Sequence, residues 1–88
     1  MDFEAIPAKD LNRIVRDGRA VVIDLRSPQE YREGHIMGAV NLPYQEGMSN
    51  FPYDTSRELV LYCGRGSVSM AAARELAARN YRVKTVVG

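Results

Sequence analysis

Cysteine occurs once in this chain, at position 63, and its neighbours are of the kind that make a thiol reactive. The run Leu59-Val60-Leu61-Tyr62 before it has the apolar, β-favouring character of a strand. Residues 67–79 after it have the alanine-rich composition of a helix. Between them lies Gly64-Arg65-Gly66, two glycines around a cation. A sulfur at such a strand-to-helix step faces several loop N–H groups and the positive end of a helix dipole. With Arg65 beside it, the thiol is expected to ionise below the free value of about 8.5, within about 3.5–7.5. Most lone cysteines are small buried hydrophobes. An inert core cysteine needs neither flanking glycines nor a neighbouring guanidinium, so Cys63 reads as a nucleophile.

Composition narrows the setting. Residues 1–88 are expected to form one domain, long enough for a core without disulfide or metal staples. One cysteine excludes an internal disulfide, and one histidine leaves too few ligands for a zinc cage, so neither metal nor cofactor is expected. Met1-Asp2-Phe3-Glu4 lacks the basic and apolar regions of a signal peptide, and no apolar run is long enough for a membrane span. A reducing, cytoplasmic setting away from membranes is the expectation. The net charge of +1 is unevenly spread: residues 1–62 carry seven basic and ten acidic side chains, residues 63–88 five and one. The segment holding the cysteine is therefore the positive one, which suits a small anionic substrate. It contains no basic block and no aromatic platform, so nucleic-acid binding is not expected.

The elements that must position the cysteine alternate between short helices and short apolar runs, the pattern of an α/β domain with a parallel sheet. Residues 3–6 suggest an edge strand. Pro7 is placed to open a helix with Leu11, Ile14 and Val15 as its apolar stripe and Gly18 as its stop. Residues 20–25 are nearly continuously apolar, as a strand covered on both faces should be. Ser27-Pro28-Gln29-Glu30 fits a capping box with proline at the first helical position, opening a short helix that ends at Gly34. A brief strand at 39–42, a loop with one helical turn at 43–51 and a turn at 52–54 follow. Strands at 59–62 and 83–87 flank the long helix 67–79. Its entry loop lies at the carboxyl end of a strand, where open α/β sheets place their ligands.

Two segments together resemble a known family. The stretch from Val22 to Pro43, with Asp24, Arg26, Glu30-Tyr31, Gly34-His35-Ile36 and Gly38-Ala39, is similar to the D-x-R…E-[YF]-x-x-G-H-I-x-G-A segment of rhodanese-like domains. Leu61-Tyr62-Cys63-Gly64-Arg65-Gly66-Ser67-Val68-Ser69 is similar to that family's active-site loop, which starts at cysteine with glycine three residues later. The resemblance covers essentially the whole chain. It implies a five-stranded parallel sheet with helices on both faces. It also implies a sulfurtransferase that moves a sulfane sulfur from a donor such as thiosulfate to cyanide, a thiol or a thiol protein through a Cys63 persulfide. In that scheme Arg65 attracts the sulfonate of the donor. The amides of Gly64, Gly66, Ser67 and Val68, with the Ser67 hydroxyl, line the loop. The chain departs from the family at Val68, where many members carry a threonine, serine or arginine, and it ends before the final helix that relatives usually add.

Other residues have plainer roles. Asp24 and Arg26, at the end of a buried strand, are expected to pin the following loop as a pair, since buried charges need partners. His35 is expected to shape a turn rather than serve Cys63 as a base, and Glu30 to cap its helix. Tyr44, Met48, Phe51 and Tyr53 are candidates for the pocket rim or for ordinary core. A phosphatase of similar scaffold needs Cys-x5-Arg to clamp a tetrahedral dianion; counting from Cys63 puts Ser69 there, which argues against phosphoryl chemistry. A sulfur-carrier or interaction module in a relay is the alternative reading. A redox-sensing thiol is a third, weakened by the lack of a second cysteine to resolve it.

Overall fold

The apolar runs assemble into one parallel sheet, and the connections between them decide which strand ends meet. The computed structural model describes residues 3–45, 48–64 and 66–87. Its strands are β1 (Glu4–Pro7), β2 (Ala20–Asp24), β3 (Val40–Asn41), β4 (Glu58–Tyr62) and β5 (Arg82–Val87), in the spatial order β1-β5-β4-β2-β3. All neighbouring pairs are parallel. Helix α1 (Leu11–Asp17) joins β1 to β2, α2 (Pro28–Glu33) joins β2 to β3, and α3 (Gly66–Ala78) joins β4 to β5.

The two faces carry separate apolar layers. Val21, Ile23, Leu59, Leu61 and Val83 point towards Ala72, Ala73 and Leu76 of α3. Val22 and Val60 point the other way, against Leu11, Ile14 and Val15 of α1. This accounts for the unbroken apolar character of β2 and β4, since alternate side chains face opposite sides and both sides are covered. Ile23, Leu59, Leu61 and Leu76 have no exposed surface. Each such side chain contributes about 1.5–3 kcal/mol relative to an exposed one. The small residues of α3 let its axis approach the sheet closely.

The local stops and starts follow the residues. Gly18 ends α1 at φ 68°, with its N–H on the Ile14 carbonyl. Ser27 caps α2 with a complete capping box: its hydroxyl accepts from the Glu30 N–H, and Glu30 Oε1 accepts from the Ser27 N–H.

Three local expectations are corrected. Pro7 does not open a helix; it ends β1 opposite Val87, and a 3-10 turn at Ala8–Asp10 leads into α1. An edge strand tolerates a residue with no N–H. The turn expected at 52–54 lies one step later, where Asp54 Oδ1 accepts from the Ser56 N–H at 3.0 Å and the Arg57 N–H reaches the Asp54 carbonyl. Aspartate side chains nucleate turns in this way. Strand β3 is shorter than 39–42, because only Val40 and Asn41 find register with β2 and the Ala39 N–H turns back to Ile36.

Candidate active site

The chain order reverses between β2 and β4: β3 continues outward on one side of β2, and the next strand returns on the other. In parallel sheets such a switch point opens a crevice at the carboxyl ends of the two strands. Leu25 and Arg26 follow β2 there, and Cys63 and Gly64 follow β4. The Leu25 N–H on the Tyr62 carbonyl at 2.9 Å ties the two ends together.

Cys63 is half-buried and in no disulfide. Its Sγ accepts the backbone N–H of Ser69, in α3, at 3.2 Å. The N–H groups at the start of a helix have no intrahelical acceptor, so α3 brings partial positive charge to the sulfur. The sulfur lies at a cavity of about 510 Å³. One wall is built from Leu25, Arg26, Ser27 and Pro28, another from Pro43 and Tyr44, with Glu30 and Val68 completing it.

Of the residues singled out from sequence, Cys63, Gly64 and Val68 border this cavity. Gly66 is the first residue of α3, and Ser67, next along it, is exposed and outside the lining. Arg65 lies outside the described residues. Sequence reasoning missed the Ser69 amide, because a backbone donor leaves no mark on residue type. It also missed the cavity walls from the β2 side. Their only signal was the position of residues 25–28 at a strand's carboxyl end, which becomes informative once β2 is known to adjoin β4.

Asp24 and Arg26 behave as the expected pinning pair. Arg26 Nη2 donates to Asp24 Oδ2 at 2.8 Å, Nε donates to Oδ1 at 3.0 Å, and Nη2 also reaches the Gly34 carbonyl. The Tyr62 hydroxyl donates to Asp24 Oδ2 at 2.9 Å and accepts from the Ile36 N–H at 3.2 Å. Burial opposes ionisation of Asp24, but the hydrogen bonds from the Arg26 side chain and backbone and from Tyr62 outweigh it. The carboxyl is held below its ordinary 3.8. Burial, aided by the negative Asp24 carboxylate that accepts its hydrogen bond, pushes the Tyr62 hydroxyl up to about 12. Asn41 closes the same corner, its Nδ2 donating to the carbonyls of Asp24 and Arg26 at 3.0 and 2.9 Å.

His35 stacks on Tyr31 at 3.6 Å between ring centroids, with Nδ1 2.7 Å from the Tyr31 carbonyl, a turn-shaping place away from the cavity lining. Tyr44 lines the cavity and donates its hydroxyl to Glu75 Oε1 of α3 at 2.8 Å. Met48 is buried in the α3-side core, and Phe51 sits edge-on to both Tyr53 and Tyr81. Of the four rim candidates, only Tyr44 therefore borders the sulfur's cavity.

Comparison with known proteins agrees with this fold. The family model described as rhodanese-like domain matches residues 7–88. The chain is 33% identical over 82 residues to a thiosulfate sulfurtransferase of Pseudomonas fluorescens, covering 91% of this chain and 73% of that protein. It is 32% identical over 87 residues to a tRNA sulfurtransferase of Desulfurococcus amylolyticus, covering 97% of this chain but only 17% of that much longer protein. Among solved structures, a rhodanese-related protein of Thermoplasma volcanium superposes with a TM-score of 0.84 at 25% identity, over 98% of this chain and 85% of its own.

Proposed function

Because the chain belongs to the rhodanese-like domain family, we propose that it is a sulfurtransferase in which Cys63 carries a sulfane sulfur as a persulfide. The observation that carries this reading is the Cys63 sulfur at an open cavity, with the Ser69 N–H 3.2 Å away. Relatives that bear the sulfurtransferase name support sulfur transfer in general terms.

The half-reactions balance without a redox partner. The Cys63 thiolate attacks the outer sulfur of thiosulfate, the S–S bond breaks, and its electron pair leaves on sulfite. A cysteine persulfide anion remains. Cyanide or a thiolate then attacks that outer sulfur, leaves as thiocyanate or a new persulfide, and returns Cys63 as thiolate. This is double-displacement covalent catalysis. The Ser69 amide and the loop amides of Gly64, Gly66, Ser67 and Val68 stabilise the negative sulfur in both states. Arg65 attracts the sulfonate of an anionic donor. A reducing compartment such as the cytoplasm keeps the thiol available between turnovers.

Intact-mass analysis after incubation with thiosulfate tests the reading. A gain of about 32 Da, one sulfur atom on the nucleophile, that cyanide removes is the expected result. Absence of any adduct with every sulfane donor tried, or phosphate release from an aryl phosphate without thiocyanate formation, would overturn it. A second reading, a carrier that hands sulfur to a partner protein, is favoured by the match to a small part of the Desulfurococcus enzyme. A carrier would load the same 32 Da (about one sulfur) yet turn over feebly with thiosulfate and cyanide.

A further inference from the structure

Hydrogen bonds run in a closed ring through Cys63. The Leu25 N–H reaches the carbonyl of Tyr62, the residue before the cysteine, at 2.9 Å. The Leu25 carbonyl accepts the Tyr44 N–H at 3.1 Å. At its other end Tyr44 donates its hydroxyl to Glu75 Oε1 of α3 at 2.8 Å. Six residues back along that helix, about 9 Å, the Ser69 N–H returns to Cys63 Sγ at 3.2 Å. Tyr44 is thus fastened by its backbone to the end of β2 and by its hydroxyl to α3. Of the links in this ring, only that between Tyr44 and Glu75 joins two side chains, so it is the one that substitution can cut cleanly.

The link is held against a cost. Glu75 Oε2 is buried and has no hydrogen-bond partner among the described residues, which is unfavourable for a polar atom. The bond from Tyr44 to Oε1 keeps the carboxylate there nonetheless. The apolar contacts of α3 do a different job. The helix meets the sheet through Ala72, Ala73 and Leu76. Two of these are methyl groups, which let the helix come close but resist sliding along its axis only weakly, since apolar attraction has no direction. A hydrogen bond is directional. Any slide of α3 along its axis shifts the Ser69 N–H relative to the sulfur.

Resting on the sulfurtransferase reading above, we infer that Tyr44 and Glu75 are positioning residues for sulfur transfer. Their hydrogen bond fixes the axial register of α3, and with it the Ser69 amide at the Cys63 sulfur. That amide acts on the negative charge of the sulfur as bonds form and break, rather than on the binding of the donor. The maximal rate of loading therefore depends on the link, and the half-saturating donor concentration does not.

The test is single-turnover loading of Cys63 by thiosulfate, or by inorganic polysulfide if that loads faster, followed by mass across donor concentrations. Tyr44→Phe keeps the ring at the cavity and removes the hydroxyl. Its maximal loading rate should fall about tenfold, less than the roughly 100- to 1,000-fold of a donor removed outright, with half-saturation unchanged. Glu75→Gln keeps an oxygen to accept the hydroxyl and should load at close to the wild-type rate. The double variant Tyr44→Phe with Glu75→Met removes both polar groups, leaves no carboxylate buried without a partner, and should match the wild type in urea denaturation. It should nevertheless load as slowly as Tyr44→Phe. Wild-type loading by Tyr44→Phe, a raised half-saturating concentration in it, or recovery of the rate in the double variant overturns the inference and leaves the sulfurtransferase reading standing. No loading of the wild type by either donor overturns both.

Discussion

Cys63→Ser keeps the size of the side chain and removes the polarisable sulfur proposed to carry the transfer, so it separates chemistry from packing. Cys63 is half-buried and accepts the Ser69 N–H, a bond that a serine hydroxyl can also accept, so the variant should keep the fold intact. Persulfide formation should be abolished in mass analysis and turnover should fall to background. Residual transfer at a tenth of the wild-type rate would be incompatible with a covalent sulfur intermediate. Arg65→Ala probes the donor's charge. If Arg65 contacts an anionic donor, its loss should raise KM by roughly thirtyfold, about 2 kcal/mol of charge-assisted contact, with little change in kcat. An unchanged KM would remove Arg65 from the site. At this scale residue type singles out Cys63, because reactive chemistry needs a particular atom. A donor facing that atom is the peptide N–H of residue 69, which any residue but proline would supply.

At the scale of elements, the segment from β2 to β3 is held by the Asp24, Arg26 and Tyr62 network. Asp24 is fully buried, and the Arg26 side chain is 21% exposed. Asp24→Asn leaves a guanidinium without its counter-charge. The cost should lie near the lower end of about 3–5 kcal/mol, because Arg26 retains some water. Urea denaturation at neutral pH measures it. The native carboxyl titrates below 3.8, so its contribution is complete above that pH and is lost as pH falls through the lowered native value. That acid-side loss of stability should be smaller in Asp24→Asn. Two glycines make a matched pair on neighbouring elements. Gly18, at φ 68°, has open space where a Cβ would go, so Gly18→Ala should cost about 1 kcal/mol for the left-handed backbone alone. Gly38, at φ 89°, would bring a Cβ within 3.2 Å of Val15 Cγ1. Gly38→Ala should therefore lower the denaturation midpoint more than Gly18→Ala. Equal effects would show that α1 yields to the added methyl.

For the whole molecule, stability rests on two apolar layers over one sheet, and β4 lies at its centre. Leu61 has no exposed surface and sits two residues before Cys63. Leu61→Ala should cost about 2–5 kcal/mol through lost burial and the cavity left behind. Domains of this kind hold only about 5–15 kcal/mol in total, so the variant should be near the limit of folding at growth temperature. Calorimetry or urea melts would register the loss. A cost below about 1 kcal/mol would mean that α3 collapses onto the sheet to fill the gap.

Periodicity and composition in the sequence specified the parallel α/β architecture, the capping box at Ser27 and the stop at Gly18, and they singled out Cys63 as the candidate nucleophile. Each of these is written in residues adjacent along the chain. Pro7 and the turn near Asp54 were misplaced locally, because an edge strand tolerates a proline and a side-chain carboxylate can outcompete a neighbouring proline for the turn. What the tertiary structure alone decided is the wall opposite the sulfur. Leu25, Arg26 and Glu30 stand more than thirty positions from Cys63 in sequence and meet it only because β2 and β4 lie side by side where the strand order reverses. Strand adjacency is a product of chain-wide packing, and no short window of residues encodes it.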